Sequence, residues 1–334
     1  MAPPSAQTLQ RLAGETGLQA GTLEKVIRLL DLLGEITADA TLRDRVALKG
    51  GTALNVFHLA LDRLSVDIDL NYIGALDRAA MEADRPEVEA ALTQILTAQG
   101  YALRRQPEGH AGGKWIARYG SALGGGATLE VDLNFMMRQP LFGVCRMASV
   151  ALGERPPSEA IVVDIHEVAA GKLVALLDRK AARDLFDARR ILAIPNLDWR
   201  LIRAAVLAFG ASGRRDWREA SVDDIGGDPK ELRDKLAICL PQGTFTGAGG
   251  VQAWIAESVG ICRQGLAVLF DRTPGEQRFL DALLDRGEID PSGLDAPGEV
   301  RARIAQMPML AWKAQHVSSH ATAKNGASGP ESET

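Results

Sequence analysis

The chain has 334 residues, 46% hydrophobic and 24% charged, a balance that fits a globular fold with a sizeable core and, at this length, favours two domains over one. A net charge of −5 argues against a uniformly basic nucleic-acid surface and leaves room for a local basic patch. Cys145, Cys239 and Cys262 are odd in number and far apart with no Cys-x-x-Cys pair, which excludes a disulfide framework and a thiolate zinc site and fits a reducing compartment.

Residues 1–44 read as helices. Leu23, Val26, Ile27, Leu30 and Leu33 recur at three- and four-residue spacing, with Thr22 as the expected cap and Gly34 as the expected end. The mixed signs of Glu24, Lys25, Arg28 and Asp31 suit a cover on a sheet rather than a membrane-surface helix.

Val46-Ala-Leu48 leads into Gly50-Gly51-Thr52, a helical pattern (Ala53, Leu54, Phe57, Leu61), then Arg63-Leu-Ser65 and the alternating run Val66-Asp-Ile-Asp-Leu-Asn-Tyr72. Successive strand side chains point to opposite faces, so Val66, Ile68 and Leu70 face a core while Asp67, Asp69 and Asn71 face away together. Carboxylates two apart on a strand sit about 7 Å apart at the backbone and can converge on one cation. Mg²⁺ favours one or two carboxylates plus substrate phosphates, and a Gly-Gly turn at a helix start offers bare N–H groups to phosphate. The bland alternative is a wet strand edge beside an ordinary turn.

Val88, Leu92, Ile95 and Leu96 predict a helix within 76–100, and 101–106 and 114–119 read as two strands around a Gly-rich turn. Gly124-Gly-Gly126 lacks a following Lys-Ser/Thr and reads as a hairpin turn, not a phosphate loop. Thr128–Phe135 alternates again and places Asp132, a candidate base and ligand for a second metal, with Glu130 as its rival.

Ile161-Val-Val-Asp164 reads as a strand, and from His166 the period becomes helical. Between Lys172 and Arg190 six basic residues stand against three acidic, an excess that would attract polyphosphate or an RNA backbone. A plain solvated helix with Lys180–Asp184 and Arg183–Asp187 pairs would give the same composition. Lys172 and Asp184 would lie about 18 Å apart on an unbroken helix. If they share a site the chain must turn near Arg179–Ala182, and a helix–turn–helix is predicted there.

From 196 onward the chain reads as mainly helical without a fixed repeat, and from 316 it is rich in Ser, Ala, Gly and Glu and predicted to be disordered. His316 and His320 lack a third zinc ligand. The opening Met-Ala-Pro-Pro-Ser has no signal-peptide pattern and no apolar run approaches the ~20 residues of a membrane helix, so a cytoplasmic protein with no membrane partner is expected.

Gly50-Gly51-Thr52, Arg63-x-Ser65-x-Asp67-x-Asp69, Asp132, Lys172 and Arg183-Asp184-x-x-Asp187 together resemble the AbiEii/AbiGii toxins with their MenT-type members, within the DNA polymerase beta-type nucleotidyltransferase superfamily. The resemblance spans roughly 45–195. It implies a small mixed nucleotidyltransferase sheet (45–195) flanked by helices; with the N-terminal helical cover (1–44), the mainly helical C-terminal domain (196–315) and the disordered tail (316–334) read from pattern and composition, the expected class is α+β. The resemblance implies an enzyme that transfers NMP from an NTP to RNA, in MenT-type members the tRNA 3′ end, as the toxin of a toxin–antitoxin or phage-defence system. Its cofactor would be Mg²⁺, with Mn²⁺ as the alternative, and its partner a winged-helix antitoxin encoded nearby.

On that reading Asp67, Asp69 and Asp132 hold metal and, with Lys172 and Asp184, make the catalytic set. Gly50, Gly51, Thr52 and Lys172 bind the nucleotide, Arg63 and Ser65 either contact its triphosphate or brace the Asp67–Asp69 strand, and Asp184 orients Lys172 or meets the nucleotide. The group often has Ser where Thr52 stands, and Thr keeps the hydroxyl. Transfer to a protein hydroxyl or to a small molecule, and a non-catalytic regulator with a vestigial fold, are the rival readings.

Overall fold

The computed structural model describes residues 3–59, 61–108, 112–247 and 249–326. Two helices open the chain, α1 (Ala6–Thr16) and α2 (Ala20–Ala38). Ser5 caps α1 by accepting from Thr8 N, and Gly17 ends it in the left-handed conformation. Helix α2 starts before Thr22 and runs past Gly34, in contrast to the sequence expectation. The Thr22 hydroxyl donates instead to Ile238 O at 3.0 Å. A mid-helix glycine costs only ~1 kcal/mol, and burial of Ile36 two residues further on outweighs it.

Strand β1 (Val46–Lys49) passes into a helical turn α3 (Gly50–Thr52), which continues as a wider coil over Ala53–His58. Then come β2 (Asp67–Tyr72), α4 (Arg78–Ala98), β3 (Ala102–Glu108), β4 (Gly112–Gly120), β5 (Gly126–Asn134), β6 (Val144–Ala148) and β7 (Glu159–Val163). They build a mixed seven-stranded sheet in the order β3-β4-β5-β2-β1-β7-β6, parallel between β2 and β5 and between β1 and β7. The short edge strand β6 was not read from the sequence; its residues are mostly exposed, so it lacks the inside–outside alternation that reveals β2 and β5. The turn expected over 107–113 falls partly outside the described residues.

Ile68, Leu70 and Tyr72 are buried on one face of β2, and Leu129, Val131, Leu133 and Phe135 on the same side of β5 and just beyond it. The alternation therefore works as expected and leaves Asp67, Asp69, Glu130 and Asp132 together on the other face.

Helices α5 (Ile165–Arg179) and α6 (Ala182–Leu192) are separated at Lys180, a non-glycine residue at φ 53°. The predicted break is present. Asp164 caps α5 by accepting from His166 N at 2.9 Å, and Lys180 N bonds Leu176 O at 3.0 Å to close it. The i,i+4 pairs of the bland reading do not form: Lys180 faces Asp224 and Arg183 faces Glu231.

The remainder is helical: α7 (Trp199–Ser212), α8 (Pro229–Glu231, continuing over Leu232–Leu236), α9 (Gly250–Leu266), α10 (Pro274–Asp281), α11 (Gly298–Ala305) and α12 (Pro308–Gly326). Of the segment expected to be disordered, residues 316–326 belong to α12, with the His316 ring against Trp312 O, and residues 327–334 lie outside the described residues. One buried apolar cluster joins Leu9 of α1, the sheet residues and Leu310 of α12. No single helix among the described residues is long and apolar enough to cross a membrane.

Candidate active site

The site is built where β1 ends. Gly50 has φ 73°, a conformation costly for any residue with a Cβ. A Cβ there would also collide with the Asp69 carboxylate. The bare turn is therefore what lets the carboxylate lie against the start of α3. Gly51 is similar: its missing Cβ would lie 2.7 Å from Ser65 Oγ and 3.5 Å from Lys172 Nζ.

In the parallel β2–β5 pair Asp67 stands opposite Glu130, and Asp69 opposite Asp132. Adjacent strands are about 4.8 Å apart, so four acidic side chains crowd one patch. Burial, then the charges of Asp69 and Glu130, push the Asp67 carboxyl above the usual carboxylate range. Lys114, opposite Asp132 on β4, answers part of this charge: its Nζ lies 2.8 Å from Glu130 and 3.5 Å from Asp132. The bond to Glu130 drives its own pKa up.

A second cluster sits behind the glycines. Asp187 is fully buried and receives Arg63 Nε at 2.9 Å, Arg63 Nη2 at 2.7 Å, Lys172 Nζ at 2.8 Å and Asn55 Nδ2 at 3.1 Å. Burial would raise its pKa; the Arg63 and Lys172 charges overcome this and hold it well below the carboxylate range. Asp184, also fully buried, receives Arg179 Nε at 2.6 Å and Lys172 Nζ at 3.3 Å. The α5–α6 corner thus brings Lys172 and Asp184 together.

Two cavities meet here. One of about 400 Å³ is lined by Gly50, Gly51, Asp69, Lys172 and Arg179 and also by the apolar Val168, Phe209 and Met309. Another of about 180 Å³ runs past Asp132 and Gly112–Gly113. Lys49 and Asp69 line both. Glu167 borders the larger cavity; burial lifts its pKa to about 8 against the opposing bond from Leu141 N at 2.6 Å.

A family model described as the nucleotidyl transferase AbiEii toxin of type IV toxin–antitoxin systems matches residues 31–245, well over half of the chain. The chain belongs to the AbiEii family. It is accordingly a nucleotidyltransferase-type enzyme of a toxin family whose systems pair a toxin with an antitoxin. Among solved structures, MenT4, a nucleotidyltransferase toxin from Mycobacterium tuberculosis H37Rv, is similar with a TM-score of 0.62 and 18% identity, over 90% of this chain and 98% of that one. At that identity the likeness is one of fold, and it matches the mixed sheet with flanking helices. No curated protein matches the chain.

In this AbiEii-family chain the acidic residues picked out by sequence lie on one face, and Lys172 and Asp184 meet. Two of the expected nucleotide-binding side chains are engaged inside the protein. Thr52 is fully buried and its hydroxyl donates to Asp67 O at 2.6 Å, which ties α3 to β2. Arg63 is 3% exposed and bound to Asp187 and Leu64 O, an inward placement that matches the bracing alternative for this residue. Ser65 is buried over Gly51. The expected shared point among Asp67, Asp69 and Asp132 is not closed as the side chains stand: among the described residues no three acidic, His or Cys groups converge on a common centre. The donor set still suits a hard cation. It consists of carboxylate oxygens in register on neighbouring strands, carrying more negative charge than Lys114 balances.

Sequence reasoning missed Asp187 as a site residue, although its i,i+3 spacing from Asp184 puts both on one helical face. It also missed Lys49, whose one signal is its place directly before Gly50-Gly51.

Proposed function

We propose that this chain is a Mg²⁺-dependent nucleotidyltransferase toxin that transfers NMP from an NTP to RNA, at the 3′ end of tRNA. The observation that carries the reading is the register of Asp69 with Asp132 beside the Gly50-Gly51 turn and Lys172. It supports the reading because carboxylates suited to a hard cation stand beside bare backbone suited to phosphate, with Asp69 bordering both the cavity of Gly50, Gly51 and Lys172 and the cavity of Asp132.

Asp67, Asp69 and Asp132 would hold Mg²⁺ or Mn²⁺, which supplies neutralisation of phosphoryl charge when bound. Backbone N–H groups at Gly50 and Gly51 receive phosphate, and Lys172 reaches it as a point charge held in place by Asp184 and Asp187. The apolar lining at Phe209 and Met309 takes the base. The acceptor hydroxyl enters by the smaller cavity and gives its proton to Asp132. Its oxygen bonds to the α-phosphorus, the bond from that phosphorus to the β-bridging oxygen breaks, and pyrophosphate leaves with the electron pair. The partner is a winged-helix antitoxin encoded nearby.

The test is a panel of radiolabelled NTPs with total tRNA, cell protein and Mg²⁺, comparing the parent chain with Asp67→Ala. RNA labelled by the parent alone is the expected result. Label in protein and none in RNA overturns the acceptor assignment, and equal labelling by both chains overturns the site.

A further inference from the structure

We infer that Lys49 is a further catalytic residue: its ammonium contacts the α-phosphate where the nucleotide and acceptor cavities meet, and neutralises the charge that develops there. The inference rests on the nucleotidyl-transfer reading of this cleft.

Three observations lead to it. First, place: Lys49 is the last residue of β1, pairs in register with Asp69, and lines both cavities. Among the residues bordering each cavity, only Lys49 and Asp69 are common to the two. A group transferred from a donor in one to an acceptor in the other must pass this boundary.

Second, availability. The other basic side chains built into this part of the molecule are engaged. Arg63 is bound to Asp187, Lys172 to Asp187 and Asp184, Arg179 to Asp184, and Lys114 to Glu130 and Asp132. Lys49 has no side-chain ion pair or hydrogen bond among the described residues, although its charge is felt by buried Glu167. A cation held at a cleft without a partner can meet a phosphoryl oxygen without first breaking a salt bridge, whereas Lys172 must share its charge with two carboxylates.

Third, backbone. Lys49 directly precedes Gly50, whose φ of 73° turns the chain sharply away from the strand. The lysine stem therefore starts on the rigid sheet and the phosphate-facing N–H groups start one residue later. Charge built up on phosphoryl oxygens in transfer is best met by donors fixed in advance, and loss of one such donor costs about 10²–10³ in rate.

The experiment has two arms on the full chain. In the first, lysine acetylation is followed by mass spectrometry with and without Mg²⁺ and each of the four α,β-methylene NTPs. Lys49 should become at least ~5-fold slower to react while Lys230, exposed on α8, is unchanged. Protection of Lys172 without Lys49 overturns this inference alone; protection of neither, with any analogue, also removes the nucleotide site on which it rests.

In the second arm Lys49→Gln and Lys49→Arg are compared with the parent for single-turnover transfer to whichever acceptor the parent labels, and for analogue affinity. Lys49→Gln should lose about 100-fold or more in rate with Kd within ~3-fold, and Lys49→Arg should recover at least ~10-fold of it. A loss confined to Kd, or an unchanged rate, overturns the catalytic role. An equal fall in thermal midpoint for both variants, with no rescue by Arg, reduces Lys49 to a structural residue and overturns it too. A parent chain that labels protein in place of RNA changes the acceptor and leaves both readouts for Lys49 intact.

Discussion

Lys172 on α5 and Asp187 on α6 meet at 2.8 Å across the Lys180 corner, and the same carboxylate receives Nε and Nη2 of Arg63 from the segment before β2. Three separate stretches of chain are thereby locked by one buried acid. Removing one partner of a buried pair leaves an uncompensated charge and costs about 3–5 kcal/mol. Asp187→Ala should destabilise by that order in denaturant unfolding, with Arg63 the charge left behind. A loss below ~1 kcal/mol would mean that the pair does not hold the corner.

Gly50→Ala combines a strained φ with a collision against Asp69. The backbone term alone is about 1–2 kcal/mol. The larger expected effect is on transfer, because the carboxylate must move. Nucleotide transfer should fall at least ~100-fold while the chain still unfolds cooperatively. Activity near the parent level would show that Asp69 does not need its present position.

The Thr52 hydroxyl bonds Asp67 O inside the protein. Thr52→Val should therefore lower stability by about 1–3 kcal/mol through an unsatisfied buried carbonyl, and Thr52→Ser should keep most of it. Nucleotide KM should move little in Thr52→Ser. If Thr52→Val instead raises KM strongly with its melting unchanged, the hydroxyl serves the phosphate after all.

Glu167 has a folded-state pKa near 8 against an ordinary value of 4.5. The folded chain thus holds a proton that the unfolded chain releases between these values, so Glu167 increasingly opposes folding as pH rises from about 4.5 to about 8. Glu167→Gln keeps an acceptor for Leu141 N and removes this term. The variant should melt several degrees above the parent at pH 8, and the gap should close toward pH 5. A gap that is constant with pH would place the proton elsewhere.

Much of the site was legible in the chain because a strand repeats every two residues. That period alone puts Asp67 with Asp69 and Glu130 with Asp132, and it needs no knowledge of what packs nearby. The break between α5 and α6 was legible for a different reason: 1.5 Å per residue cannot bring Lys172 to Asp184 without a turn. The inward placement of Thr52 was not legible, and the choice between phosphate contact and brace for Arg63 stayed open, because a hydroxyl and a guanidinium near a glycine turn suit phosphate equally well whether they face in or out.

Local pattern, then, determined which residues share a face and where the chain must bend, since both follow from backbone geometry within a few neighbours. Only the tertiary structure decided the rest. It set β2 beside β5 in register, turned Thr52 and Arg63 inward, gave Asp187 two cations, and brought Phe209 and Met309 from the far helices to wall the cleft. These are contacts between residues tens to hundreds of positions apart. Their partners are chosen by which buried charges and apolar surfaces can be satisfied at once, a condition on the whole packed chain that no short stretch contains.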